Sequence, residues 1–151
     1  MSLSNPRFED SYGRLFGPNV AMEEDAEAFF LAFYTRFLKA PGVAKFFTAT
    51  DMNRQVKMMK QSLFQLVSYY VTNSPSAELK RLAAMHVHLA VESDFLEHWL
   101  EALIATVAEK DPFADEATQL AWCWALTPGI TYFRMVLDGS IAEESLAGVL
   151  N

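Results

Sequence analysis

The stretch 51–70, DMNRQVKMMKQSLFQLVSYY, decides the fold. Met52, Gln55, Val56, Met59, Leu63, Leu66, Val67 and Tyr70 recur at spacings of three and four, the period of an amphipathic helix. Thr50 or Asp51 supplies an N-cap, and Asn73-Ser74-Pro75 stops the helix. One amide, Gln55, stands inside the apolar stripe, where it needs a hydrogen-bond partner or an outward swing to solvent. The next stretch, 76–89, SAELKRLAAMHVHL, repeats the pattern. Ser76 caps it, and Leu79, Leu82, His86 and Leu89 form one stripe, so the His86 imidazole points inward. His88 lies about 200° around the same helix.

Working outward, the same period predicts four further helices. A first runs over Pro6–Phe16 and stops at Gly17-Pro18. A second is capped by Asn19, carries Glu23, Glu24 and Asp25 near its positive end, and buries Ala26, Phe29, Phe30, Phe33, Tyr34 and Phe37. It ends near Ala40, before Pro41. A fifth begins near Ser93, presents Phe95, Trp99, Leu103 and Val107, and ends at Asp111-Pro112. A sixth runs from about Asp115 to Leu137, interrupted or kinked at Pro128-Gly129. A short tail helix over Ile141–Leu150 is compatible with the pattern. No alternating strand run or hairpin signal occurs, so the class is all-α, with six or seven helices. Periodicity alone leaves the packing arrangement open.

Composition narrows the function. The chain has 151 residues, the size of one domain, and residues 5–151 are assigned to it, with 1–4 set aside as a disordered start or cloning scar. A net charge of −7 argues against nucleic acid and anionic membrane as partners. No apolar run marks a secretory signal, and the charge-free stretch Gln61–Ala77 holds too many polar residues to span a membrane. The one cysteine, Cys123, permits no internal disulfide and suits a reducing, cytoplasmic setting. Hydrophobic residues make up 52%, with 12 Phe and 7 Met, so the core is large or encloses something apolar.

Most catalytic chemistries lack their residues. Three histidines and one cysteine give no zinc spacing. There is no phosphate-binding glycine loop and no Gly-x-Ser-x-Gly. Glu23-Glu24 and Glu143-Glu144 read as solvated helix starts, Cys123 as an inert thiol, and His98 as an exposed residue among acids. By frequency an isolated inward histidine such as His86 is a satisfied core residue.

The motifs around His86 shift that balance. Phe33-Tyr34-x-x-Phe37-Leu38, Pro41, Phe46-Phe47 and Thr50-Asp51-Met52-x-x-Gln55, followed by Leu79-x-x-Leu82-x-x-x-His86 and Phe95-x-x-x-Trp99-Leu100, resemble the bacterial single-domain globins and truncated haemoglobins over roughly residues 22–137. The resemblance implies an all-α, globin-like fold enclosing a haem pocket. It implies haem b, with His86 as the proximal iron ligand. Phe47 matches the corner phenylalanine against the porphyrin, and Met59, Leu63, Leu82 and Phe95 are expected cofactor contacts. Tyr34 and Gln55 match distal polar positions, and the Trp99 indole N–H matches a group that can reach the ligand. Each has a plainer rival as a core residue. Arg54, Lys57, Lys80 and Arg81 are candidate partners for the haem propionates.

The implied function is reversible binding of dioxygen or another diatomic gas. Two alternatives stay open. One is a haem-dependent nitric oxide dioxygenase or peroxidase, which needs a separate reductase. The other is a haem-free sensor or interaction module. Acidic residues 138–144 with Ile141, Leu146, Val149 and Leu150 offer a homodimer contact, or a helix folded back on its own domain.

Overall fold

The computed structural model describes residues 5–17, 26–91 and 94–141. Among them there are six α-helices and no strand: α1 (Pro6–Phe16), α2 (Ala26–Phe37), α3 (Met52–Thr72), α4 (Ala77–His88), α5 (Phe95–Lys110) and α6 (Glu116–Leu137), with a 3₁₀ turn at Ala44–Phe46. The expected cap at Asn19 with its acids 23–25 and the tail beyond Ile141 lie outside the described residues, while the helix expected from near Ser93 begins at Phe95.

Four helices, α1, α3, α4 and α6, begin where short polar side chains satisfy free backbone donors. Asn5 accepts from the Phe8 amide, and Pro6 occupies the first helical position of α1, where its missing N–H costs nothing. Asp51 accepts from Asn53 N at 3.0 Å, Ser76 from Leu79 N at 3.0 Å and Asp115 from Thr118 N at 2.8 Å. α3 ends on Asn73 in the left-handed region (φ 57), a conformation asparagine tolerates. α2 stops at Phe37, three residues short of the expected end. Lys39 and Ala40 bond back to Arg36 and Phe37 in tightened turns ahead of Pro41.

α6 is the organising helix and packs against α1, α3, α4 and α5, while α2 packs on α3 and α5. Of the interruption or kink expected at Pro128, the interruption does not occur: α6 is continuous from Glu116 to Leu137. Proline removes the donor to the carbonyl four residues back. That residue, Trp124, is exposed to water, and four neighbouring helices hold the rest of α6 in place.

Gly129 lets α3 and α6 come close. A Cβ built there would lie 2.7 Å from Leu66 Cδ2 and 3.5 Å from both Leu66 Cα and Tyr69 Cβ. For alanine the only overlap is with the movable end of Leu66, the two 3.5 Å approaches being ordinary contacts. A leucine must displace the α3 backbone, so Gly129→Leu should lower unfolding stability by about 2 kcal/mol in urea titrations, the scale of an overpacked core.

A second anchor ties α1 to the end of α5. The fully buried Asp111 carboxylate accepts from Ser11 Oγ at 2.6 Å and from Arg14 Nε at 2.9 Å and Nη2 at 2.8 Å. It also accepts from Phe113 N at 3.0 Å. Ser11 in turn accepts from Trp122 Nε1 at 2.9 Å, linking α1 to α6.

Candidate functional site

Packing α2, α3, α4 and α5 together leaves a cavity of about 150 Å³, within a cleft whose free volume including its mouth is about 720 Å³. The enclosed part is smaller than the range of about 300–1,000 Å³ common for ligand clefts. Eight residues singled out from the sequence share its wall: Tyr34, Phe47, Gln55, Met59, Leu82, His86, Phe95 and Trp99. Leu63 is completely buried in the core and does not reach the wall. A smaller cavity of about 60 Å³ shares Ser62, Leu82, His86, Phe95 and Trp99 with the first and continues toward Phe133.

His86 is positioned by its own helix. Its Nδ1 lies 2.8 Å from the Leu82 carbonyl, one turn back, so Nδ1 carries the proton and Nε2 the lone pair. Phe133 meets the ring edge-on at 4.9 Å and Phe95 flanks it at 5.9 Å, which limits its rotation. Burial lowers the pKa of the ring below 6.5, outweighing the Leu82 bond, so the imidazole is neutral near pH 7. No described residue donates to Nε2, yet no buried side-chain nitrogen among the described residues lacks a partner. Nε2 is therefore open to a molecule in the cavity.

The other polar groups come from α2 and α3. Gln55 Nε2 donates to the Tyr34 hydroxyl at 3.1 Å, giving the buried amide the partner that its position in the stripe demanded. Burial pushes the phenol up to about 12, and the Gln55 bond only partly counters this, so Tyr34 stays protonated. The acceptor nearest its own proton is the Gln55 carbonyl at 3.5 Å, at the outer limit of a hydrogen bond. The hydroxyl can thus turn its proton to a better acceptor. Trp99 Nε1 is engaged: it donates to Met59 Sδ at 3.3 Å.

Sequence spacing missed part of the wall. Met58 and Ser62 flank the Gln55–Met59 stripe on α3, while Met85 adjoins His86 and Phe46 adjoins Phe47. The signal for Ser62 was its position three residues beyond Met59 on the same face. His98, expected to be exposed, is partly buried, with its Nε2 3.4 Å from the Asp94 carboxylate one turn back. None of Arg54, Lys57, Lys80 and Arg81 lines the cavity, and Arg81 pairs with Glu78. Among the described residues no cluster of histidines, thiols and carboxylates could hold a bare metal ion. No described helix is long and apolar enough to cross a membrane.

An all-helical fold closed around an apolar cleft, with one neutral inward histidine and a phenol–amide pair in that cleft, defines a globin-like protein. A solved structure from Pseudomonas aeruginosa PAO1, of a protein described as structurally highly homologous to a human haemoglobin, matches with a TM-score of 0.74. The sequences are 30% identical, and the match covers 88% of this chain and 97% of the other. The chain belongs to the bacterial globin-like proteins. No family model and no curated protein matches it.

Proposed function

We propose that the chain is a haem-binding globin that reversibly binds dioxygen or another diatomic gas. The observation carrying this is His86: a neutral imidazole, its Nδ1 proton fixed on Leu82, with an unpartnered Nε2 at an apolar cleft. Those are the properties required of a haem-ligating histidine, in which the second nitrogen fixes the tautomer. When bound, haem b supplies an iron that keeps one coordination position for a diatomic gas.

The remaining roles belong to the chain. Phe47, Phe95 and Leu82 make apolar walls that exclude water and strengthen every polar contact inside. Gln55 donates to the Tyr34 oxygen, orienting the hydroxyl so that its proton is available to a partly negative ligand. The amide also polarises the O–H and makes it a better donor.

Purified protein should show a Soret band that shifts on reduction with dithionite and again on adding carbon monoxide. Absence of the band after haem reconstitution refutes the reading. Tyr34→Phe removes the ligand-facing donor and should speed dioxygen release about tenfold, the scale of one hydrogen bond. Stopped-flow displacement by carbon monoxide measures this, and an unchanged rate removes Tyr34 from ligand binding.

A further inference from the structure

We propose that Trp99 is a positioning residue: its indole N–H pins the Met59 sulfur, and through Met59 it sets how fast a small ligand enters the cavity, without itself donating to that ligand. This rests on the haem-globin reading above. Trp99 Nε1 lies 3.3 Å from Met59 Sδ, within the longer reach of a sulfur acceptor, and both residues are buried on the cavity wall. The indole is fixed from behind by Phe33 of α2, edge-on at 6.0 Å, so it is the rigid partner of the pair.

Met59 is the mobile partner. A methionine has three rotatable bonds and no branching, and left alone it samples several rotamers. On α3 it follows Gln55 by one turn, and helical side chains lean toward the N-terminus, so Met59 leans toward the Gln55–Tyr34 pair. Anchoring the sulfur holds the thioether in one place as a fixed wall beside the two polar groups. Met59 shares the cavity wall with Tyr34 and Gln55, so a ligand entering the cavity meets a side chain that the indole keeps from swinging. The division of labour follows from the hydrogen bonds: the Tyr34 proton has a poor acceptor and is free to turn, whereas the Trp99 proton already has its acceptor.

The test uses the haem-reconstituted full chain with carbon monoxide as probe. Trp99→Phe should leave the infrared C–O stretch where it is and raise the association rate by about threefold, the scale of one weak hydrogen bond. Met59→Leu, which conserves volume, should raise the rate similarly, and the double variant should be no faster than either single one. A C–O stretch moved by Trp99→Phe, as a lost donor moves it, overturns the proposal. So do rate effects that multiply. A haem-independent readout guards against a variant that fails to fold. In the nitrogen-labelled haem-free protein, Met59→Leu should move the Trp99 indole N–H resonance while Met58→Leu leaves it in place. An indole resonance indifferent to Met59 overturns the anchor. If reconstitution gives no Soret band, the haem reading and the gating that rests on it fall together, and the indole resonance still decides the anchor.

Discussion

His86→Ala should abolish stable haem retention and the Soret band of the purified protein, while helical circular dichroism is kept. Among the described residues His86 is the only histidine on the cavity wall, and its Nε2 is the open ring nitrogen there. His88 is exposed on the far side of α4, and His98 is held beside Asp94, so neither can substitute. Loss of a hydrogen-bond partner behind a ligating histidine costs about 10–100-fold in metal affinity, and loss of the ligand itself should exceed that. The substitution truncates a ring that is only partly enclosed, at a site already bordering a cavity, so the fold survives it. Imidazole added to the alanine variant should occupy the vacated space and restore part of the band. Haem transfer to a competing apoprotein, followed at the Soret maximum, measures the loss. A variant that binds haem with the wild-type spectrum would exclude His86 as the iron ligand.

The second large effect lies away from the site. Asp111→Ala should lower unfolding stability by about 3 kcal/mol, at the low end for breaking a buried ion pair, because Arg14 keeps a third of its side chain in water. The loss leaves Ser11 Oγ, the Phe113 amide and the guanidinium without their shared acceptor. It also loosens the Trp122–Ser11 link between α1 and α6. For a chain of this size that corresponds to a Tm lower by about 10 °C. The pH dependence has a definite sign. Burial alone would raise the Asp111 pKa, but the bonds from Arg14, Ser11 and Phe113 outweigh it and hold the carboxyl below its ordinary 3.8. A depressed carboxylate contributes its stability above the unfolded value and loses it as pH falls through the folded one. Wild type and variant should therefore differ fully at pH 7 and converge below about pH 4. Urea titrations at both pH values check this, and parallel behaviour throughout would show that the carboxylate charge is not what matters.

Much of this was legible in the chain. Caps and stops are local: Asp51, Ser76 and Asp115 satisfy amides two or three residues away, so no distant contact is needed to predict them. The stripe 79, 82, 86 puts His86 inward for the same reason, and the bond that fixes its tautomer runs to its own helix. Pro128 shows the limit of local rules. Its breaking tendency is overridden by the helices packed around α6, and sequence periodicity cannot weigh that packing.

The order of motifs from Phe33 to Trp99 determined the all-helical, globin-like class and brought Tyr34, Phe47, Gln55, Met59 and His86 forward as candidates. Only the tertiary structure decided how those candidates divide their hydrogen bonds. Tyr34 and Gln55 lie on different helices, as do Met59 and Trp99, and whether two such groups meet depends on where α2, α3 and α5 cross. Helical periodicity fixes the face on which a side chain stands. It carries no information about which side chain of another helix stands opposite, and at this cavity that pairing leaves the phenol free to turn its proton and commits the indole to sulfur.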